Sequence, residues 1–245
     1  MRSVNGMALF EPDKAQRIRA MFARIVPHYD TVNRMMTLGL DRHWRKVAVA
    51  MARVEGARVL DVATGTADLA LEAAKAGARE VVGVDFCHAM LEAAATKINA
   101  LRQPIVLMAA DALSLPFGDD TFDCVLNAFV LRNLVDIPKA FREFHRVLRP
   151  GGRLVCLDLT HPPKLLKPLI NFYVDTVVPL IGNAVSGDLA AYRYLADSLK
   201  PHPDTRALRD LLYAARFVGV EFRLLGLGAV AVHRAYKPSS KSRPR

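Results

Sequence analysis

Three acidic residues, Asp61, Asp85 and Asp111, stand 24 and 26 residues apart, each at or just past the end of a short apolar run. A carboxylate at the carboxyl end of a parallel strand can accept hydrogen bonds from a nucleoside. Asp85 is placed for both ribose hydroxyls, an arrangement that disfavours a 2′-phosphate, and Asp111 for an exocyclic adenine amine. The first run leads through Asp61-Val-Ala-Thr-Gly65-Thr-Ala-Asp68 straight into an Ala/Leu-rich stretch. A small-residue turn between strand and helix brings backbone N–H groups close to a ligand at a helix N-terminus. Only one position of a Gly-x-Gly-x-x-Gly-like loop is Gly here, with Ala63 and Ala67 filling its neighbours, so the loop gains its meaning from the acids that follow it. Together the three acids describe one adenosine-shaped crevice.

Such a crevice needs a parallel sheet, and the periodicity supplies one. Arg58–Val62, Glu80–Val84, Ile105–Ala109, Phe122–Asn127 and Gly152–Leu157 read as strands. Thr66–Ala76, Met90–Leu101 and Ile137–Leu148 read as the intervening helices. Strands alternating with helices predict an α/β sheet covered on both faces. Val220–Leu225 and Ala229–Tyr236, joined through Gly226-Leu-Gly228, predict a closing hairpin whose last strand runs antiparallel, making seven strands. Residues 1–53, with the single Trp44, read as an N-terminal helical cap and 54–236 as the catalytic domain. Within that domain a helical lid insertion is expected at about 162–200, and a basic disordered tail at 237–245.

The 245 residues, 52% hydrophobic and 24% charged, suit one domain with a full core. The net charge of +10 resides at the two ends. Residues 1–53 carry +6 and 237–245 carry +4, whereas 54–236 contain twenty cations and twenty anions. A neutral body argues against a nucleic-acid enzyme, and its basic extremities suit an anionic membrane surface. Cys87, Cys124 and Cys156 are too scattered for a disulfide framework or a zinc site and read as small buried hydrophobes. No run of 18 residues is both apolar and uncharged; Pro168–Val185, the nearest, carries Asp175 and Pro179. The N-terminal residues lack an apolar stretch followed by a small-residue cleavage site, so a cytoplasmic protein is expected.

Val59-Leu-Asp-Val-Ala-Thr-Gly-Thr-Ala-Asp68, Val84-Asp-Phe86, Asp111-Ala-Leu-Ser-Leu-Pro-Phe117, Thr121-Phe-Asp-Cys-Val125 and Arg146-Val-Leu-Arg-Pro-Gly-Gly152 resemble the class I S-adenosylmethionine-dependent methyltransferases. Phe22-Ala-Arg-Ile-Val-Pro-His-Tyr-Asp30, Asn33, Leu38-Gly39, Trp44-Arg45, Leu131-Arg-Asn133 and Tyr192-Arg-Tyr-Leu-Ala-Asp-Ser198 narrow the resemblance. With Gly228-Ala-Val-Ala-Val-His233 they are similar to the ubiquinone/menaquinone biosynthesis C-methyltransferases of UbiE type, over roughly residues 20–236. The resemblance implies a Rossmann-like sheet, S-adenosylmethionine as cofactor, and methyl transfer to a ring carbon of a prenylated hydroquinone. It carries cofactor contacts onto Thr66, Asp85, Asp111 and Ala112, with Asp61, Thr64, Gly65, Phe86 and Asn127 beside them. A Ser common in the family falls here on Ala128, and a usual Gly on Ala67, which puts cofactor affinity in question at those two points.

The methyl of a sulfonium is already activated, so no metal is needed; the acceptor must be held in line and kept electron-rich. Arg132 and Asn133, just past the fourth strand, are the expected acceptor-side residues. Arg132 is a phenolate stabiliser or water-positioning group rather than a base, because a guanidinium stays protonated. Tyr29 and Asp30 are candidates for taking the proton, with His161 and His233 behind them. The segment Leu165–Val185 can cover the site and receive an isoprenoid tail, or simply pack as a lid. Another small hydrophobic acceptor, or a non-catalytic cofactor- or quinone-binding subunit, remain the alternatives, and the sequence leaves open whether two copies pair.

Overall fold

A computed structural model of the chain describes residues 12–199 and 201–239. Arg2 and the cations Lys241, Arg243 and Arg245 of the expected tail lie outside the described residues. The strands are β1 (Arg58–Val62), β2 (Glu80–Asp85), β3 (Ile105–Ala109), β4 (Phe122–Ala128), β5 (Leu148–Leu159), β6 (Val218–Leu225) and β7 (Val230–Tyr236). They form one seven-stranded sheet in the order β3-β2-β1-β4-β5-β7-β6. Strands β1 to β5 pair in parallel. β7 runs antiparallel to both β5 and β6, as the short Gly226–Gly228 connection requires. Chain order reverses on either side of β1, which has β2 on one flank and β4 on the other. Ligand crevices open outside the carboxyl ends of the strands at such a switch.

Helices α1 (Pro12–Ile25), α2 (Tyr29–Met36), α3 (Leu40–Ala52), α4 (Asp68–Lys75), α5 (His88–Leu101) and α6 (Ile137–Val147) precede β5. After it come α7 (Lys167–Phe172), α8 (Val178–Ser186), α9 (Leu189–Leu199) and α10 (Thr205–Ala214), with a π-turn over Tyr173–Val177 joining α7 to α8. Side chains alternate across each strand and so build two cores. One face packs Leu60, Val125 and Leu154 against Phe141 and Phe144 of α6 and Leu208 and Leu212 of α10. The other packs Val59, Leu126 and Val155 against α3, α4 and α5. Thus α3, which its place in the chain groups with the cap, is part of the sheet's own sandwich through Trp44, Ala48, Val49 and Ala52. A third cluster joins Ile25, Val32 and Met36 of the cap to Val178, Ala191 and Tyr192 of the lid.

Most elements differ from expectation by one or two residues at one end or both, and the start of β5 by four. β5 begins at Leu148 instead of Gly152, because Leu148 pairs with Phe122 ahead of a bulge in β5, whose extra residues precede the pairing of Arg153 with Cys124. α4 begins at Asp68 instead of Thr66, because Ala67 takes a left-handed conformation. All three cysteines are buried and free, and burial pushes the thiols of Cys124 and Cys156 up to about 12. The run Lys167–Ser186 is long and apolar enough to cross a membrane by length and composition, and only its Val178, Pro179 and Gly182 are buried in the fold.

Candidate active site

Three left-handed residues alternate through the turn after β1: Ala63 (φ +56°), Gly65 (φ +55°) and Ala67 (φ +67°). For the two alanines this costs about 1 kcal/mol each, since a Cβ crowds the following carbonyl. A Cβ added at Gly65 would meet no atom within 4 Å, so the loop has an open flank there. Asp85 ties this turn to the one after β2: Oδ2 accepts from Gly65 N at 2.8 Å and Oδ1 from Cys87 N at 2.9 Å. Asp61 is 1% exposed and accepts from Thr64 Oγ1 at 2.7 Å. Burial pushes its carboxyl up to about 7, and raises that of Asp85 as well. Asp111 is exposed beyond β3, its Oδ1 accepting from Leu113 N at 2.8 Å, with Ala112 buried beside it. Asn127 is buried in β4, its amide donating to Cys156 Sγ at 3.1 Å, and Ala128 closes that strand.

These residues suit an adenosyl cofactor. Each carboxylate oxygen of Asp85 keeps a second lone pair, Asp111 offers an exposed acceptor one strand further on, and the open flank at Gly65 leaves backbone room between them.

The cap closes on this loop through a polar cluster. Asp30 Oδ1 accepts from Thr66 Oγ1 at 2.6 Å, while Lys97 reaches Asp30 at 2.5 Å and Asp68 at 2.7 Å. Asp30 therefore fastens α2 to the turn after β1.

Beside the cluster, under the cap and lid, lies a cavity of about 480 Å³. Its wall is mostly apolar, and its charged lining residues are Arg45, Arg132 and Asp41. Tyr29, Arg45, Arg132 and Asn133 reach it, together with the rings of Trp44 and Phe129. Arg45 pairs with buried Asp41 at 2.7 Å. Arg132 donates through Nη1 to Asp158 Oδ1 at 3.1 Å and to Phe129 O at 3.0 Å. Asp158 also accepts from Leu131 N at 2.9 Å and Leu159 N at 2.8 Å, so it orders the whole turn carrying Arg132. Burial raises the Tyr29 phenol against the pull of Arg45 and Arg132, leaving it a donor at neutral pH. Asn133 Oδ1 accepts from Tyr194 Oη at 3.4 Å.

A model of the ubiE/COQ5 methyltransferase family matches residues 11–237. The chain belongs to that family. A demethylmenaquinone methyltransferase of Roseiflexus sp. (strain RS-1) is 43% identical over 230 residues, covering 92% of this chain and 96% of its own. A ubiquinone/menaquinone biosynthesis C-methyltransferase UbiE of Desulfotalea psychrophila is 40% identical over 231 residues, 93% of each chain. The fold resembles that of a SAM-dependent methyltransferase from Thermotoga maritima, at a TM-score of 0.64 and 19% identity, covering 90% of this chain and 99% of that one. As a ubiE/COQ5 methyltransferase, the chain uses S-adenosylmethionine as its methyl donor.

In this ubiE/COQ5 methyltransferase, Tyr29, Arg132 and Asn133 meet at one cavity, whereas Asp30 faces Thr66 and Lys97 and is not among the cavity-lining residues. His161 is exposed, with Nε2 2.8 Å from His202 O, and His233 is buried, with Nε2 3.1 Å from Thr205 O. Neither lines the cavity. Sequence reasoning passed over Asp158, Asp41 and Phe129. Asp158 carried a usable signal, an acid near the end of an apolar strand. Asp41 carried a local one too, since its partner Arg45 lies one helical turn on; Phe129 carried none, because what sets it apart is an unusual backbone angle.

Proposed function

We propose that the chain methylates a ring carbon of a prenylated hydroquinone, demethylmenaquinol or a methoxy-polyprenyl-benzoquinol, in quinone biosynthesis. The observation that carries this reading is the apolar cavity with Arg45, Arg132 and Tyr29 at one end. A flat apolar ring with two hydroxyls matches such a wall. Asp85, Asp111, Gly65, Thr66 and Ala112 would hold the cofactor, with Asp61, Thr64, Phe86, Asn127 and Ala128 shaping its surroundings. When bound, S-adenosylmethionine supplies a methyl already activated on a sulfonium. The protein's task is to make the ring carbon nucleophilic. A ring hydroxyl facing the guanidinium groups gives up its proton to water at the cavity mouth more readily, because the phenolate is stabilised by opposite charge. The hydrogen displaced from the methylated ring carbon leaves as a proton by the same route. Arg132 acts by its charge; Tyr29 donates a hydrogen bond; Asn133 orients the second ring oxygen. Asp30, through Thr66 and Lys97, keeps the cap shut and water out.

The cavity mouth suggests where the enzyme meets a lipid-soluble substrate. Leu38, Leu169 and Leu227 line the cavity and are also 81%, 65% and 72% exposed. Leu165 and Phe172 continue this apolar rim, and Lys164 and Lys167 stand exposed within it. We propose a cytoplasmic protein that seats this rim on an anionic bilayer, where apolar side chains enter the interface and lysines meet the headgroups. The tail of the quinol would leave the cavity at the same mouth. This reading calls for neither nucleic acid nor a second copy of the chain. Incubation with labelled S-adenosylmethionine and a panel of reduced demethylated quinones, with mass analysis of the product, tests it. Label in the ring supports the assignment; no transfer to any quinol ends it.

A further inference from the structure

We infer that Phe129 sets the plane of the acceptor ring and thereby governs which ring size the enzyme accepts; this rests on the quinol reading above. Phe129 follows β4 directly, between the strand end expected to face the cofactor and the turn that carries Arg132. Its φ is +58°, a left-handed conformation in which a bulky side chain is an outlier. Eight other non-glycine residues among those described share that backbone shape, so the case for the ring rests on where it stands, lining the cavity beside Trp44, Arg45 and Arg132.

Both its backbone and its ring are held by neighbours. Its N–H donates to Leu157 O at 2.8 Å, and its carbonyl accepts from Arg132 Nη1 at 3.0 Å. The Arg45 guanidinium lies 5.5 Å from the ring centroid, and the Trp44 ring 6.4 Å away at 57°. Trp44 is in turn buttressed by the turn between β6 and β7, where a Cβ on Gly226 would come within 2.9 Å of the indole. Phe129 therefore lines the cavity with its carbonyl held by Arg132 Nη1, which also donates to Asp158 and so fixes the ring and the guanidinium relative to each other. An aromatic acceptor packed against it has its plane fixed by Phe129 and its oxygen by Arg132. Flat rings stacked or set edge-on to a phenyl group gain over an aliphatic wall of similar size. A two-ring naphthoquinol and a one-ring benzoquinol should then differ in how much they draw from that contact.

Trp44 is the only tryptophan of the chain and lines the same cavity, so its fluorescence reports acceptor binding without turnover. The full chain and its Phe129→Leu and Phe129→Tyr variants would be titrated with short-tailed naphthoquinol and benzoquinol. Donor affinity would be measured by calorimetry and transfer rates for both rings by mass analysis. Phe129→Leu is expected to weaken quinol binding about tenfold. It should also shift the ratio of kcat/KM between the two rings about fivefold and leave donor affinity within about twofold. Phe129→Tyr should restore both quinol binding and the ratio. Unchanged quinol affinity and ratio in Phe129→Leu overturn the inference. So does a parallel fall in donor and quinol affinity that Phe129→Tyr fails to rescue, the mark of a merely structural loop residue. Quinol binding that depends on Phe129 without any methyl transfer would uphold this inference and end the quinol-methylation reading. Trp44 fluorescence unmoved by every quinol in the unaltered protein ends both.

Discussion

Arg132 Nη1 lies 3.1 Å from Asp158 Oδ1, and the two side chains are only 6% and 3% exposed. The charge that faces the acceptor is thus held by a carboxylate behind the cavity wall, on the strand next to its own turn. Arg132 Nε is buried without a hydrogen-bond partner among the described residues, so Asp158 and the Phe129 carbonyl carry the task of keeping this cation in place. Removing one member of a buried pair strands the other: Asp158→Ala should cost about 3–5 kcal/mol of stability. Replacing both, as Arg132→Met with Asp158→Leu, should recover most of that loss in urea denaturation while methyl transfer stays abolished. A double variant as unstable as Asp158→Ala would show that the pair does not dominate the energetics of this turn. Arg132→Ala alone should lower turnover more than donor affinity; equal losses would remove its acceptor-side role.

Asp85 bridges two turns and is proposed to bind the ribose, so its replacement acts twice. Asp85→Asn keeps the shape but removes a charged acceptor, at roughly 1.5–3 kcal/mol per hydrogen bond lost. Donor binding should weaken at least about tenfold in calorimetry. Unaltered affinity would take Asp85 out of the site.

The buried carboxyl of Asp61, raised from 3.8 to about 7, makes stability depend on pH. The folded state holds a proton there that the unfolded chain has released above pH 3.8. The contribution is fully present below that pH and is lost as pH rises through about 7. It amounts to roughly 4 kcal/mol across the window. Denaturation of the cofactor-free protein and of Asp61→Asn at several pH values isolates this contribution by difference. The variant should lose less stability between pH 4 and 7; parallel curves would refute the assignment.

Vesicle co-sedimentation tests the proposed rim. Binding to anionic vesicles should exceed binding to neutral ones and fall as salt rises, because each lysine near the surface contributes about 1 kcal/mol. Lys164→Glu with Lys167→Glu should weaken it, and Leu169→Ser with Leu227→Ser should weaken it at any salt. Equal binding to neutral and anionic vesicles would eliminate the electrostatic part, leaving the methyltransferase assignment intact.

The sheet, its antiparallel last strand and the positions of the strand-end acids were legible in the sequence. All of these depend on spacing within a few residues: alternation, a short glycine connection, an acid where an apolar run stops. The family was legible for the same reason, since its motifs are contiguous strings. Tertiary structure alone decided what the polar residues do. Asp30 looked like a proton acceptor beside Tyr29, yet its carboxylate is taken by Thr66, 36 residues away. Arg132 reads as a phenolate stabiliser or water-positioning group, and only the fold shows that Asp158, 26 residues on, pairs with it. Phe129 reads as one more apolar residue until its backbone angle is known. A charge or ring has no local pattern that names its partner; that is decided by which strand ends the sheet order places side by side, and by how much water burial leaves around them.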